Sequence, residues 1–269
     1  MALQTLKEFV KSCLAHASAL RQRWFPYRYQ EGAYMDSFLS HHPKSTACEL
    51  RPAPRVIYAF WTGNNEVPLN RKDCLDGIQA RTGVPLVLVT PENLGAFVVP
   101  GSPLHPGYES LSLIHRADYL RCYFMHHHGG GYTDIKSALH DWNPAFDLLD
   151  SSGSWGVGYQ ELHRHAVAYT GGSVDRDLGR HYLSLLGNGA YIMRSQTPFT
   201  QEWYAELHRR MDLHLTQLMA HPGDQWGKNP GYPLAWTYIL GQIFHPLCLK
   251  YADQLAMHAA VMPSFTNYR

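Results

Sequence analysis

Charge is what this chain has least of. Only 17% of its 269 residues are Asp, Glu, Lys or Arg, and 23 basic side chains against 22 acidic ones leave a formal net charge of +1. Such a balance supplies no global field for a polyanion, so a nucleic acid or membrane contact would need a local patch, and no nucleic-acid partner is expected. Cysteine is scarce as well. Cys13, Cys48, Cys74, Cys122 and Cys248 are scattered, odd in number and without a C-x-x-C pair. That spacing argues against a disulfide framework or a cysteine zinc site and fits reduced thiols in a cytoplasmic protein. No stretch approaches the roughly 18 apolar residues of a membrane span. Lys7, Glu8, Lys11 and Ser12 interrupt the N-terminal segment, which therefore lacks the apolar core of a secretory signal. There is no internal repeat, and no G-x-G-x-x-G follows the first strand, which weighs against a dinucleotide oxidoreductase.

What is present points to a folded α/β chain. Hydrophobic residues make up 45%, and 17 histidines with 13% aromatics exceed the needs of a core and suit a polar cleft with flat walls. Near the N-terminus Leu3, Leu6, Phe9, Val10, Leu14 and Ala17 recur at helical spacing, with Lys7, Lys11, Arg21, Arg23 and Arg28 nearby. A helix packed on its own domain is the expectation, with peripheral membrane contact as the alternative. Residues 1–50 therefore read as a helical extension and 51–269 as one domain. "RVIYAFWTG" reads as a buried strand, "PLNRKDCLDGIQARTG" as a helix stopped at Gly83, and "VPLVLVT" as a second strand. That βαβ order predicts a mostly parallel sheet. Further helices are expected over "ESLSLIHRADYLRCYFMHHHGG", "DWNPAFDLL", "PFTQEWYAELHRRMDLHLTQLMAH" and "PLAWTYILGQIFHPL". Strands are expected over "GYTDI", "SWGVGYQ", "NGAYIMR" and "LAMHAAVM", and His163–His181 reads as a long, lid-like loop.

The segment "HRADYLRCYFMHHHGGGYTDIK" concentrates chemistry. In open α/β sheets ligands sit beyond the carboxyl ends of strands, and "AFWTG" and "YTDIK" are two such ends. Alternation along a strand aims Asp134 and Lys136 the same way and Ile135 into the core. Asp118 and Arg121, three apart on a helix, share a face: either a nucleotide-binding pair or a surface ion pair of little value. His126, His127 and His128 are consecutive on a helix and diverge, so no shared metal site is expected there; they suit a helix C-terminus.

Arg116, Asp118, Arg121, Gly130, Gly131, Tyr132 and Asp134 together resemble the signature of GT-A-fold sugar transferases related to capsular-polysaccharide and Och1-type enzymes. In that family an Arg-x-x-Asp helix leads through Gly-Gly and an aromatic residue into an Asp-x-Asp motif. "PRVIYAFWTG", "LGNGAYIMR" and "MHAA" resemble the family's outer segments. The resemblance implies a Rossmann-like GT-A fold, a nucleotide-sugar donor and a glycan acceptor. It further implies donor contacts from Phe60, Trp61, Gly63, Arg116, Asp118, Arg121, Gly131 and Tyr132. A Mn2+ or Mg2+ ion held by Asp134 and His258 is also implied, since hard cations take oxygen ligands and stabilise a leaving diphosphate. The sequence departs from the family at Lys136, where a second acid is usual. Either the metal remains with Lys136 on a phosphate, or the ammonium replaces part of its charge. Asp224, in the turn-rich "HPGDQWGKNPGYPLAW", is the candidate base for the acceptor hydroxyl, with Trp226 and Tyr232 as stacking faces. Asp175, Arg176 and Asp177 read either as phosphate or acceptor contacts or as solvated charges. A carbohydrate- or nucleotide-binding protein without turnover is the alternative function.

Overall fold

The β-branched and aromatic run before Gly63 forms β1 (Ile57–Phe60), fully buried, as its composition requires. A computed structural model describes Trp24 and residues 26–266; the expected helix over residues 3–17 lies outside the described residues. After β1 the chain continues through α1 (Leu69–Arg81), β2 (Leu86–Val89), α2 (Leu113–His127), β3 (Gly130–Thr133) and α3 (Asn143–Ser151). It then forms β4 (Gly156–Gln160), α4 (Asp175–Arg180), β5 (Leu186–Met193), α5 (Pro198–Ala220), α6 (Gly241–Lys250) and β6 (Leu255–Met257).

The six strands make one sheet in the order β2-β1-β3-β5-β4-β6. β1 pairs in parallel with β2 and β3, β4 pairs in parallel with β6, and only β5 runs against its neighbours. The chain is thus α/β with a mostly parallel mixed sheet, compatible with a Rossmann-like fold. Strand alternation sorts the core into two faces. Tyr58, Phe60, Tyr132, Tyr191 and Met193 meet α2, α5 and α6. Ile57, Val157, Ala190 and Ile192 meet Trp142 and Phe146 around α3, and Ala59 meets Cys74 of α1.

The glycine brake after α2 has a conformational cause. Gly129 and Gly130 have φ of +69° and +89°, and a Cβ on Gly130 would lie 3.1 Å from the Pro54 and Val56 carbonyl oxygens. The chain can therefore turn from helix into strand with no room spent on a side chain.

Several expected elements are shorter than their patterns. β3 ends at Thr133: the Asp134 amide still reaches the Gly189 carbonyl of β5, but the Lys136 amide then folds back to the Asp134 carbonyl at 2.7 Å and takes the chain out of the sheet. The apolar run from Pro233 becomes helical only at Gly241; before it, Tyr238 and Leu240 bond to Ala235 and Thr237 in turns, and the Ala235 carbonyl engages His115. β6 covers only Leu255–Met257, and residues 259–261 wind into a 3-10 turn. The expected lid contains α4, which buries Leu178 beside the buried Val174. Its acids are structural: Asp175 accepts from the Thr170 amide and hydroxyl, and Asp177 accepts from the Tyr34 hydroxyl. Arg176 is exposed.

The described lead-in is bound to α5 and α6. Leu39 is fully buried, and the buried Lys250 ammonium donates to the His42 carbonyl and to both Glu202 oxygens. Among the described residues no helix is long and apolar enough to cross a membrane. Cys48, Cys74, Cys122 and Cys248 are free thiols.

The α2–α5 seam holds a band of buried and half-buried imidazoles. His126 stacks on Tyr204 at 4.5 Å, and His208 meets the Tyr119 hydroxyl at 3.2 Å. Burial, reinforced by neighbouring histidines, pushes both rings down to about 4. A base whose pKa is lower in the folded state takes up fewer protons than in the unfolded chain, so stability should fall as pH drops from 6.5 towards 4. Urea unfolding at pH 7 and pH 5 should differ by up to about 2 kcal/mol for each of the two rings. A His126→Gln, His208→Gln double variant should lose most of that difference; an unchanged slope would contradict the assignment.

Candidate active site

The expected site residues of β1 and β3 open on one edge of the sheet. β1, β2, β3, β4 and β6 finish there and β5 begins there, because it alone is reversed. α2 starts above the same edge: the Thr62 hydroxyl donates to the Leu113 carbonyl at 2.6 Å, fastening the end of β1 to the first turn of the helix. The Ser112 side chain caps that turn by accepting from the His115 amide.

Two adjoining features occupy this edge. The first is a cleft of ≈ 180 Å³ between the ends of β1 and β2 and the first half of α2. Trp61, Thr62, Asn64, Thr90, Glu109 and Arg116 give it an aromatic wall and several hydrogen-bonding groups. The Trp61 indole is fixed by donating to the Asn65 carbonyl, and Arg116 pairs with Glu109 at 3.1 Å. The Cβ that Gly63 lacks would fall 2.3 Å from the Asn65 side-chain oxygen, so a small residue here lets the Asn65 turn close.

The second feature is a charge cluster beyond β3. Asp134 Oδ1 accepts from the Tyr132 hydroxyl at 2.7 Å and lies 3.1 Å from Arg121 Nη2, while Oδ2 accepts from Lys136 Nζ at 2.8 Å. Arg121 also donates to the Asn188 carbonyl at 2.9 Å, approaches Asp118 at 3.5 Å, and lies over the Tyr132 ring at 4.6 Å. The Asp134 side chain is 23% exposed, so it faces the edge and is not sealed within the core. Although β3 stops at Thr133, the alternation persists: Asp134 faces Arg121 of α2 with Lys136 on its other oxygen, and Ile135 packs with Ala59 and Cys74.

The charges set one another's protonation. Burial pushes the Asp134 carboxyl up, but Arg121, Lys136 and the two hydrogen bonds outweigh it and hold the group below the usual carboxylate range. Asp118 goes the other way: burial raises it, Arg121 and His115 pull against that rise, and Asp134 adds repulsion. At 4% exposure Asp118 depends on Arg121 for its counter-charge. An Asp118–Arg121 pair of this depth is not the weak surface pair that its spacing alone allows.

The donor residues expected from the sequence divide into three groups. Trp61 and Arg116 line the cleft, and Gly63 shapes the turn beside it. Asp118, Arg121, Asp134 and Lys136 converge in the cluster. Phe60, Gly131 and Tyr132 lie underneath as support. Phe60 is 7% exposed and stacks on Tyr132 at 5.4 Å, while Gly131 leaves space for Ile57 and Trp142. Only the Tyr132 hydroxyl reaches the polar layer.

Asp224 and His258 are not brought into the cluster. The Asp224 carboxylate accepts from the Trp226 and Lys228 amides, which hold it below the usual range and make it a turn organiser. Its neighbour Gly223 bonds to Ser110 before α2, whereas Arg121 sits about 14 Å further along the helix from Ser112 at 1.5 Å per residue. His258 follows β6, and its Nδ1 accepts from the Ala260 amide. β5 and β4 lie between β6 and β3, which separates their backbones by about 14 Å at ordinary strand spacing. Among the described residues no group of three or more His, Cys, Asp or Glu side chains is arranged to hold a metal ion. With both Asp134 oxygens held by protein donors, these residues do not fit the expected Mn2+ or Mg2+.

The resemblance implies an acceptor-side role for the segment that holds Asn188 and Gly189, but not that their backbone carbonyls hold Arg121 and Asp134. Pattern reading passed over Arg71, which donates to the Ile135 carbonyl. The "NG" in "LGNGAYIMR" marked the place, but a backbone carbonyl leaves no trace in residue type. No family model, no curated protein and no solved structure matches this chain.

Arg121 is the cation that Asp118 and Asp134 share, so Arg121→Met should cost about 3–5 kcal/mol by stranding buried carboxylate charge. Arg121→Lys should recover little of it, since one ammonium cannot span both acids and the Asn188 carbonyl. Urea unfolding of the two variants measures this, and a wild-type midpoint for Arg121→Met would refute the shared role.

Proposed function

We propose that the protein is a nucleotide-sugar-dependent glycosyltransferase of the GT-A type, acting in surface polysaccharide or glycan synthesis. The observation that carries this reading is the adjacency of two features on neighbouring strand ends: the Trp61–Arg116 cleft and the Arg121–Asp134–Lys136 cluster. A cleft with a flat aromatic wall and mixed donors and acceptors suits a nucleoside. A cluster of fixed cations one strand away suits the diphosphate that would follow.

In this reading the bond between the sugar C1 and its phosphate oxygen breaks, and the electron pair stays on the leaving nucleoside diphosphate. The acceptor hydroxyl oxygen bonds to C1, and its proton passes to solvent water. Negative charge grows on the diphosphate oxygens, and side-chain cations already in place stabilise it without reorganising. Tyr132 and Phe60 would give the cluster a rigid floor, because stacked rings between β1 and β3 cannot shift without breaking the core.

A second reading has its own observation. Lys136 stands where the related enzymes place an acid and is paired with Asp134 at 2.8 Å, which would suit a nucleotide- or carbohydrate-binding protein without turnover.

A thermal-shift panel of UDP-, GDP- and CMP-sugars, each with and without Mn2+, tests the donor site. The matching donor should raise the melting point by about 5 °C at a hundredfold excess over its Kd. Release of free sugar or transfer to a glycan should accompany it, and Asp134→Asn should lower that rate about a hundredfold. A shift without sugar release would favour the binder, and no shift with any sugar nucleotide would remove the donor site altogether.

A further inference from the structure

We infer that the diphosphate of the donor is neutralised by side-chain cations, Lys136 and Arg121, and that donor binding needs no divalent metal. Asp134 then acts as a positioning residue that brackets the two cations. The inference rests on the glycosyltransferase reading above.

The donor set of Asp134 carries the argument. A metal ligated by Asp134 would sit about 2.1 Å from a carboxylate oxygen. Oδ2 is already held by the Lys136 ammonium at 2.8 Å, and Oδ1 by the Tyr132 hydroxyl and Arg121. A divalent ion on the same carboxylate would be pressed against one or both of these cations, and like charges at such separations repel strongly where water is scarce. The other expected ligand is far from the cluster: His258 is two intervening strands away, with Nδ1 committed to the Ala260 amide.

Lys136 is also built into place. Its side chain is 13% exposed, and its ammonium lies 4.8 Å from the Phe265 ring, which the tail lays over it. The tail is tied down there: the Ser264 amide donates to the Ser137 carbonyl, and Pro263 bridges to Ala138. Arg71 donates to the Ile135 carbonyl between Asp134 and Lys136, placing a third cation at the bend. Bracketing by Asp134 keeps Arg121 and Lys136 close despite their mutual repulsion, so an arriving diphosphate finds both cations already positioned.

Isothermal titration of the full chain with UDP and with GDP, in EDTA and in MnCl2, tests the inference. Wild-type Kd should agree between the two conditions to within about threefold, since charge-assisted side-chain bonds supply the binding. Lys136→Met should weaken binding in EDTA by about 10–100-fold, the loss of one charge-assisted hydrogen bond. Lys136→Arg, which keeps the charge, should stay within about tenfold of wild type. Lys136→Asp supplies the second acid, so its binding should become at least about tenfold tighter with Mn2+ than with EDTA. Circular dichroism melting of each variant reports whether it folds.

Wild-type binding that appears only with Mn2+, Lys136→Met binding at wild-type strength in EDTA, or metal-indifferent binding by Lys136→Asp would each overturn the inference. Binding that requires Mn2+ would leave the glycosyltransferase reading standing. Absence of UDP and GDP binding in both conditions would overturn this inference, and the glycosyltransferase reading falls with it only if the thermal-shift panel is also silent for every sugar nucleotide.

Discussion

The candidate site depends on a carboxylate held between two cations. Asp134 is poised at the end of β3 with Arg121 on one oxygen and Lys136 on the other. Remove the acid, and two positive charges are left facing each other in a place where water screens them poorly. Remove Arg121, and Asp118 and Asp134 lose the charge they share. The electrostatics of the edge therefore behave as one unit, and the Tyr132 hydroxyl ties that unit to the core beneath.

α2 is the element through which this unit communicates with the rest of the fold. Its first turn is fastened to β1 through Thr62 and to the 223–236 loop through the His115–Tyr232 contact at 2.8 Å. Arg116 then faces the cleft, and Asp118 and Arg121 face β3. Its lower half stacks on α5 through histidines and tyrosines that burial keeps neutral. One helix thus sets the spacing between the two halves of the site, and its rigidity comes from aromatic packing below and capping above. The reversal of β5 contributes equally: only a strand starting at this edge can present the Asn188 and Gly189 carbonyls to Arg121 and Asp134.

Local pattern gave the alternation around Asp134 correctly for a reason that outlived its premise. β3 stops before Asp134, yet the side chains continue to alternate, because Ile135 has a hydrophobic slot between Ala59 and Cys74 to fill. The apolar run from Pro233 misled in the opposite way. Its hydrophobicity reports burial, which is true of Leu234, Ile239 and Leu240, but burial alone does not distinguish turns from helix. Asp175, Asp177 and Asp224 look alike in sequence as free acids in polar loops. Each is instead consumed by local or distant hydrogen bonds, which residue type cannot announce.

By itself the sequence determined the order of strands and helices apart from α4, the glycine turn between α2 and β3, and the alternation that sets Asp134 and Lys136 opposite Ile135. These follow from period, chirality and backbone freedom, which act between near neighbours. Only the tertiary structure decided that Arg121 reaches Asp134, that Lys136 closes on the same carboxylate under Phe265, and that Asp224 and His258 stay apart from them. Those outcomes depend on which strands become neighbours and how far apart the intervening ones hold them, a long-range property fixed when the whole core packs.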